Sequence, residues 1–314
     1  MKVLITGARG QLGRALIKLK PSDIKIFAMD RSNFNMLDIS YCLKTINTLN
    51  PDWIINCGAY TNVDLAESDK ETAMRINYQA PEAFAQEIKK LGGNFLQIST
   101  DYVFSGKRIT NSPYLTTEKR SPLGIYGQSK AKAEESLEDI FSDSSQGIIL
   151  RTSWLMGPVG KNFLITILNL NLKSKEIKVV NDQIGCPTST ISLAKVCWKI
   201  IKLKKYNLIF KENRNRILHW QDDGETNWHE IALFISKLSK EYGLIHNHAN
   251  IIPIKTSQYR SLVERPSYSV LDCELTKNLL NYRGRHWKIT LKEILKKIHL
   301  DKNNSNIFKT KFKI

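Results

Sequence analysis

Residues 1–13 read Met-Lys-Val-Leu-Ile-Thr-Gly-Ala-Arg-Gly-Gln-Leu-Gly, and this stretch decides the fold. The apolar run at residues 3–5 is too short for a helix and a helical pattern begins as the glycines end, which predicts a strand, a tight turn and a helix. Gly7 would let the chain turn, Gly10 would let the backbone approach a pyrophosphate, and Gly13 would let helix and strand pack closely. We interpret the turn as a phosphate cradle, and an ordinary glycine turn is the alternative.

The first half of the chain alternates strand and helix patterns. Further strands are predicted at residues 25–30, 52–59, 94–99 and 147–153. This alternation predicts right-handed crossovers and an α/β fold of the Rossmann type, with a doubly wound parallel sheet. We place an NAD(P)-binding domain at residues 1–157 and a smaller α/β substrate-binding domain mainly at 158–300, allowing for segments that return to the first domain. Residues 301–314 are expected to form a basic, disordered tail.

Composition indicates an ordinary globular protein. The 314 residues are 42% hydrophobic, enough for a full core in two domains or in one domain with a large appendage. The five cysteines are scattered without a Cys-x-x-Cys pair, which predicts small core residues and neither a disulfide framework nor a zinc site. There is no signal-peptide pattern, and the longest apolar stretch, residues 163–172, is too short to cross a membrane. We therefore expect a cytoplasmic protein.

The net charge of +17 is concentrated in the second half of the chain. Residues 1–150 hold 18 Lys and Arg against 17 Asp and Glu, so nearly all of the excess follows residue 150. Lysines on helical patterns there predict solvated surfaces, and no aromatic-basic platform or recognition-helix motif accompanies the charge. We expect neither nucleic acid nor a membrane as a partner, because an anionic substrate explains the excess more economically.

Two acidic residues follow the glycine turn at distances suited to a dinucleotide. Asp30 ends the second predicted strand seventeen positions after Gly13, where a carboxylate can accept hydrogen bonds from the adenosine ribose. Arg31 can instead meet a 2′-phosphate, so the pair leaves NADH and NADPH both open as the cofactor. Asp38, beside Ile39, can present a carboxylate to the adenine amino group, although a helix cap is the simpler interpretation.

Polar side chains follow the third and fourth predicted strands. The third strand leads into Ala59, Tyr60 and Thr61, and the fourth leads into Thr100 and Asp101. Ligands of parallel sheets bind at the carboxyl ends of the strands. Both segments are therefore expected beside a bound dinucleotide.

The segment after the fourth strand contains the chain's one Tyr-x-x-x-Lys sequence, Tyr126 and Lys130, whose side chains share a helix face. A carbonyl that receives a hydride needs a proton donor, and tyrosine is too weak an acid unless a neighbouring ammonium stabilises the phenolate. We predict that Tyr126 donates the proton, that Lys130 supplies the positive charge and that Thr100 holds the carbonyl oxygen. A surface tyrosine with a solvated lysine is the alternative.

With these features the chain resembles the extended short-chain dehydrogenase/reductases, and within them the dTDP-4-dehydrorhamnose reductase family, over nearly its whole length. The resemblance rests on Thr6-Gly-Ala-Arg-Gly-Gln-Leu-Gly13, Ala66-Glu-Ser68, Ser99-Thr-Asp-Tyr-Val-Phe104, Tyr126-Gly-Gln-Ser-Lys130, Arg151-Thr-Ser-Trp154, Asn181-Asp-Gln-Ile-Gly-Cys-Pro-Thr188 and Arg265-Pro-Ser-Tyr-Ser269. It implies NAD(P)H-dependent reduction of the C4 ketone of dTDP-4-dehydro-β-L-rhamnose, a dTDP-linked 4-keto-6-deoxyhexose, to dTDP-L-rhamnose.

The resemblance also implies roles for individual residues. The family's catalytic residues correspond to Thr100, Tyr126 and Lys130. Substrate contacts are expected at Thr100, Asp101, Trp154 and Arg265. Of these, Arg265 is the cation that we expect to grip the diphosphate in a bidentate fork, and an ordinary surface arginine is the alternative. With the residues chosen above, the expected cofactor contacts are Gly7, Gly10, Gln11, Leu12, Gly13, Asp30, Arg31, Asp38, Ile39, Ala59, Tyr60, Thr61, Tyr126 and Lys130.

The chain departs from related families at two places. Related sugar-nucleotide 4,6-dehydratases carry an Asp-Glu pair after the threonine, whereas Asp101 is followed here by Tyr102, which favours reduction over water elimination. Some members of the family bind magnesium between two subunits through acidic residues near the end of the chain. Lysines crowd residues 290–298 here, so we predict no metal site and leave a homodimer open.

Two other functions stay open at this point. One is the reduction or epimerisation of another nucleotide-linked ketosugar. The other is a non-catalytic, NAD(P)-binding regulatory subunit that resembles the β subunit of methionine adenosyltransferase. The complete set of threonine, tyrosine and lysine positions counts against this second alternative.

Overall fold

A computed structural model describes residues 1–107, 112–205, 216–246, 248–261 and 263–303, without the side chains of residues 204, 205, 302 and 303. Its centre is a sheet of six strands that pair in parallel. In order across the sheet these strands are β10 (Ile217–His219), β5 (Gly147–Thr152), β4 (Asn94–Thr100), β3 (Trp53–Asn56), β1 (Lys2–Thr6) and β2 (Lys25–Ala28).

The inner strands are nearly continuous buried runs. Every residue of β3 and β5 is buried, and β1 is buried from Val3 to Thr6. Parallel strands that are covered by helices on both faces need such runs. β1 lies between β2 and β3, so the strand order reverses at β1. The crevice beyond the carboxyl ends of β1 and β3 is therefore where a ligand of this sheet is expected to bind.

Helices cover both faces of the sheet. One face carries α1 (Gln11–Lys18) and α8 (Thr190–Lys205), which pack against each other. The other face carries α2 (Ile39–Leu49), α5 (Ala80–Lys90) and α6 (Ile125–Ile140). Between β3 and α5 lie two short helices and a π-helical turn, namely α3 (Val63–Ser68), α4 (Lys70–Met74) and Arg75–Gln79. A 3₁₀ turn, Asp101–Val103, follows β4 directly.

The later part of the chain forms a second apolar core. Its strands pair in twos: β12 (Asn250–Ile254) with β7 (Glu176–Val180), β6 (Leu155–Met156) with β9 (Thr188–Ser189), and β11 (Thr226–Asn227) with β8 (Ile184–Gly185). Its helices are α7 (Phe163–Lys173), α9 (Trp228–Glu241) and α11 (Trp287–Asn303), with a 3₁₀ turn at Thr256–Gln258. The short helix α10 (Glu274–Leu280) contacts α8 and β10. Among the described residues, none of the helices combines the length and apolar character of a membrane span.

The predicted Rossmann-type parallel sheet is confirmed. Two of its elements, β10 and α8, follow residue 157, so the chain returns to the nucleotide-binding fold after its first exit. The division into domains at that residue stays a prediction. α11 continues through Asn303, which makes the first three residues of the expected tail helical, and the rest of that tail, residues 304–314, lies outside the described residues.

Candidate active site

A cavity of about 740 Å³ opens at the carboxyl edge of the sheet, beside the reversal at β1. Its walls come from the segments that follow β1 to β5, from α6 and from the start of α9. Three residues predicted for the site do not line it: Asp38, Ile39 and Arg265. The predicted residues that do line it are Gly7, Gly10, Gln11, Leu12, Gly13, Asp30, Arg31, Ala59, Tyr60, Thr61, Thr100, Asp101, Tyr126, Lys130 and Trp154.

The backbone is packed so closely around the glycine turn that only glycine fits at two of its positions. Gly7 has a φ of 63°, and a Cβ atom there would lie 2.8 Å from the backbone nitrogen of Gly58. A Cβ atom at Gly13 would lie 2.4 Å from the carbonyl oxygen of Gly7. At Gly10, a Cβ atom would meet only that same oxygen among the described atoms, at 3.0 Å. Space beside Gly10 is thus left at the start of α1, where a helix N-terminus attracts an anion.

Asp30 presents an ionised carboxylate to the cavity. It accepts hydrogen bonds from the amide and the hydroxyl of Ser32, at 2.8 and 2.5 Å, and pairs with the guanidinium of Arg9 at 2.7 Å. The hydrogen bonds from Ser32 lower the pKa of Asp30 most, and the Arg9 charge lowers it further. Arg9 also lines the cavity, yet it is not among the residues predicted from the sequence. Its position between Gly7 and Gly10, inside the glycine turn, could have identified it as a site residue.

Asp38 caps α2, which was the simpler of the two interpretations given for it. Its side chain accepts a hydrogen bond from the amide of Tyr41 at 3.0 Å. Asn35 and Met36 line the cavity at this place. The adenine contact expected of Asp38 and its neighbour Ile39 stays a prediction.

The segment after β3 is held in place by a buried amide. Asn77 accepts a hydrogen bond from the amide of Tyr60 at 2.8 Å and donates one to the carbonyl oxygen of the same residue at 3.0 Å. The Asn77 amide also donates to Ser129 of α6 at 3.0 Å. Asn77 lies in the π-helical turn, a distortion that frequently occurs at functional sites. No sequence motif marked this residue.

Thr100, Tyr126 and Lys130 meet on one wall of the cavity. Thr100 ends β4, Tyr126 lies in the first turn of α6, and Lys130 follows one turn later. The hydroxyl of Thr100 lies near the phenol of Tyr126 and donates to Oδ1 of Asp101 at 3.0 Å. The ammonium of Lys130 donates to the carbonyl oxygen of Ile98 at 2.7 Å. The three residues proposed for the chemistry are therefore brought together by the ends of β4 and α6.

Burial sets the acidity of this group. The pKa of Tyr126 is raised, because burial disfavours the phenolate more than the nearby Thr100 hydroxyl favours it. Burial dominates the pKa of Tyr126 and the ammonium of Lys130 is directed to Ile98, so the stabilisation of the phenolate by Lys130 stays a prediction. Burial also lowers the pKa of Lys130 to about 8, against the opposing charge of Glu134.

Trp154 forms an aromatic wall together with a residue that was not predicted, Trp228. The two indole rings stack with centroids 3.8 Å apart, and Phe163 packs against Trp228 at 4.6 Å. Trp154 has a φ of 43°, an unfavourable conformation for a bulky residue. Strained backbone concentrates at ligand sites. This wall is accordingly a suitable surface for a sugar or a base.

Arg265 lies behind the cavity wall. Its guanidinium pairs with Asp64 of α3 at 2.5 Å and donates to the phenolic oxygen of Tyr102 at 3.2 Å. Tyr102 lines the cavity and packs edge-on against Tyr126, with ring centroids 5.6 Å apart. Tyr102 thus lies between Arg265 and Tyr126. The contact of Arg265 with a diphosphate stays a prediction.

A buried ion cluster supports this wall from behind. Glu134 of α6 is fully buried and accepts two-pronged hydrogen bonds from Arg151 of β5, at 2.6 to 3.1 Å. It also accepts from Ser99 at 2.5 Å and from Arg120 at 2.7 Å. Burial alone would raise the pKa of Glu134, but the guanidinium groups of Arg151 and Arg120 outweigh burial and hold it low. The buried His219, whose pKa is about 3, contacts Arg151 as a neutral ring.

The region considered for magnesium holds one acidic residue, Glu293. Its carboxylate is engaged by Arg285 at 2.5 and 2.8 Å. Within the described ranges, no group of three or more His, Cys, Asp or Glu side chains is arranged to hold a metal ion. The absence of a metal site and the oligomeric state both stay predictions.

Comparisons with known proteins agree with this site. A model of a family described as the RmlD substrate binding domain matches residues 1–300. The chain is 35% identical to the spore coat polysaccharide biosynthesis protein SpsK of Bacillus subtilis (strain 168), over 94% of this chain and 96% of that protein. It is 32% identical to a dTDP-4-dehydrorhamnose reductase of Aggregatibacter actinomycetemcomitans, over 93% of this chain and 98% of that protein.

A solved structure shows the same fold. It is the dTDP-4-dehydrorhamnose reductase of Bacillus anthracis str. Ames in complex with NADP, which is 30% identical and has a TM-score of 0.82. The match covers 94% of this chain and 99% of that chain. The resemblance seen in the sequence is confirmed: the chain belongs to the RmlD substrate binding domain family, and its relatives include dTDP-4-dehydrorhamnose reductases.

Proposed function

We propose that this chain catalyses the NAD(P)H-dependent reduction of the C4 ketone of dTDP-4-dehydro-β-L-rhamnose to dTDP-L-rhamnose. Relatives of similar length are named dTDP-4-dehydrorhamnose reductase, and one was solved with NADP. The observation that carries the proposal is the cavity wall where Thr100, Tyr126 and Lys130 meet beside the glycine turn. Reduction of a carbonyl needs a dinucleotide site next to a proton donor, and this wall supplies both.

The residues of the turn fit a nicotinamide dinucleotide. Gly7 and Gly13 hold the backbone so closely that no side chain can intrude, and the N-terminus of α1 is left for the pyrophosphate. The ionised carboxylate of Asp30 can accept hydrogen bonds from the ribose hydroxyls. When bound, the reduced nicotinamide supplies a hydride to the ketone carbon.

Tyr126 delivers the proton that completes the reduction. Because burial raises its pKa, the phenol is protonated at neutral pH, and its proton passes to the ketone oxygen to form the C4 hydroxyl. Thr100 holds that oxygen by turning its single hydroxyl proton from Oδ1 of Asp101 to the ketone. Lys130, with a pKa of about 8, is mainly an ammonium at pH 7 and favours the phenolate that remains.

Tyr102 supports reduction over water elimination. It stands where related dehydratases carry a glutamate, and its phenol is bonded to Arg265. No second carboxylate therefore follows Asp101 to act as a base.

One assay tests the function directly. The dTDP-ketosugar is mixed with the chain and with NADPH or NADH, and loss of the reduced-nicotinamide absorbance is followed while the nucleotide sugar is analysed. We expect one dTDP-L-rhamnose for each reduced cofactor consumed. A UDP-linked ketosugar serves as the comparison substrate. Consumption of cofactor with that sugar alone would assign the chain to another ketosugar.

The arginines beside Asp30 are expected to set cofactor preference. We expect the enzyme to use both cofactors and Arg31→Ala to raise the KM for NADPH more than that for NADH, by about tenfold for a lost charge-assisted contact. Arg9→Ala should act in the same direction, because Arg9 also lines the cavity beside Asp30. KM values for both cofactors are measured for each variant.

Arg14→Ala is the matched control for these arginines. Its side chain bonds to the carbonyl oxygen of Arg9 and does not line the cavity. It should leave the ratio of the two KM values unchanged. An equal loss for NADPH and NADH in the Arg9 and Arg31 variants would show that neither residue distinguishes the 2′-phosphate.

Removal of Arg265 is expected to weaken substrate binding. Arg265→Ala should raise the substrate KM by a factor on the order of ten to a hundred at every ionic strength, because a direct contact with the diphosphate is lost. Lys292→Gln and Lys296→Gln on the exposed side of α11 are the controls. Their field is screened within about 8 Å at physiological ionic strength, so they should act only at low salt. An unchanged KM in Arg265→Ala would limit this residue to its pair with Asp64.

A further inference from the structure

Two buried carboxyl groups lie near the catalytic wall, and they have opposite surroundings. Glu134 is paired with two arginines, Arg151 and Arg120. Asp101 is 3% exposed, and within the described part of the chain no lysine or arginine forms an ion pair with it. A buried carboxylate without a cation is costly and takes up a proton instead. The different surroundings therefore predict an ionised Glu134 and a neutral Asp101.

The two oxygens of Asp101 also differ. Oδ1 accepts a hydrogen bond from the hydroxyl of Thr100 at 3.0 Å. Oδ2 is buried, has no hydrogen-bond partner and belongs to a residue that lines the catalytic cavity. A buried polar atom without a partner at a site wall points to a partner in the ligand. A proton on Oδ2 would turn this atom into a donor.

We propose that Asp101 acts as a neutral carboxylic acid, and that its Oδ2–H donates a hydrogen bond to an oxygen of the sugar ring beside the reacting ketone. This inference rests on the proposed function for the identity of the sugar. The acid stays protonated during turnover, because its task is to donate a hydrogen bond and not to transfer the proton. A substrate that fills the cavity excludes water and strengthens this preference for the neutral form.

The groups around Asp101 set the pH range in which the proton is held. Burial raises the pKa of Asp101 to about 7, while the hydrogen bond from Thr100 and the nearby hydroxyl of Ser269, which makes no hydrogen bond to Oδ2, oppose the rise. Tyr126 faces it from α6 and Tyr102 from its own turn, and beyond Tyr102 lies the pair of Arg265 with Asp64. Lys130 lines the same cavity but directs its ammonium to Ile98.

Two substitutions at Asp101 separate a neutral donor from a charged carboxylate. Asp101→Asn keeps the size and a donor, so kcat/KM should stay within about tenfold of the wild-type value. Asp101→Leu keeps the branched shape but replaces the two oxygens with larger methyl groups and so removes the donor, and kcat/KM should fall by about ten- to a hundredfold beyond the Asn variant. If the reaction instead required a negative charge at Asp101, the Asp101→Asn variant would be as inactive as the Asp101→Leu variant.

The pH profile supplies a readout that a structural role would not change. Wild-type kcat/KM, which reports the free enzyme, should fall as the pH rises through about 7, because the donor is lost when Asp101 ionises. In Asp101→Asn this decline should disappear, leaving only the one expected from Lys130 near pH 8. Asp222→Asn is the control, since Asp222 is also buried with a raised pKa but does not line the cavity. Its profile should match the wild type.

Infrared difference spectra test the protonation without any turnover. At neutral pH and below, wild type minus Asp101→Asn should show the carbonyl stretch of a protonated carboxyl group, which vanishes as the pH rises. A spectrum with only carboxylate bands at every pH would overturn the proposal, as would an Asn variant as inactive as the Leu variant. If the wild type fails to reduce the dTDP-ketosugar, the proposed function fails, and the infrared result still decides the state of Asp101.

Discussion

Tyr126→Phe is expected to lower kcat by at least about 10²-fold while the Kd of NADPH and NADH stays nearly unchanged. The substitution removes one oxygen and leaves the ring, so the packing of this half-buried side chain is kept. What is lost is the phenol that lies near Thr100 and delivers a proton to the ketone oxygen. Stopped-flow measurement of hydride transfer, with cofactor titrations by fluorescence, separates the chemical step from binding.

Tyr102→Phe is the matched control for this loss. Tyr102 is another tyrosine on the cavity wall, packed edge-on against Tyr126, but its phenol bonds to Arg265. Its removal should change the substrate KM more than kcat. If Tyr126→Phe transfers hydride at a near-normal rate, or if both variants lose kcat equally, Tyr126 is not the proton donor.

Much of the fold was predictable because its signals are local. The glycine turn, the buried runs of β1 and β3 and the placement of Tyr126 after β4 each depend on a few neighbouring residues. Strand and helix patterns that alternate then allow only a small set of topologies. The same local logic identified Asp38 as a helix cap.

Other parts of the site depend on contacts between distant segments. Asn77 bonds to Ser129 across 52 positions of sequence, and Trp228 stacks on Trp154 from the start of α9. The acidity of Tyr126 depends on burial, which local spacing does not report, so its raised pKa was not predicted. Arg9 lies within the glycine turn, but its pairing with Asp30 requires β1 and β2 to be adjacent, which the sequence of the turn does not show.

The buried ion cluster gives the largest expected change in stability. Glu134→Gln should lower the free energy of unfolding by about 3–5 kcal/mol, because it leaves the buried guanidinium of Arg151 without its anion. Arg151 is 1% exposed, and it also contacts a carbonyl oxygen of Thr116, the neutral ring of His219 and the ring of Phe104, none of which carries a negative charge. Urea denaturation of the purified variant measures the loss.

Glu138→Gln is the matched control, because Glu138 binds the same Arg120 from a position that is 40% exposed. That pair is open to water, so its loss should cost less than about 1 kcal/mol.

Glu134 also carries a charge that raises the pKa of Lys130 against burial, so Glu134→Gln should move the alkaline decline of kcat to lower pH. Ser99, which donates a hydrogen bond to Glu134, directly precedes Thr100. The ion cluster is therefore connected to the catalytic residue Thr100. Equal, small losses in the two variants with an unshifted pH profile would show that Arg151 and Lys130 do not depend on this carboxylate.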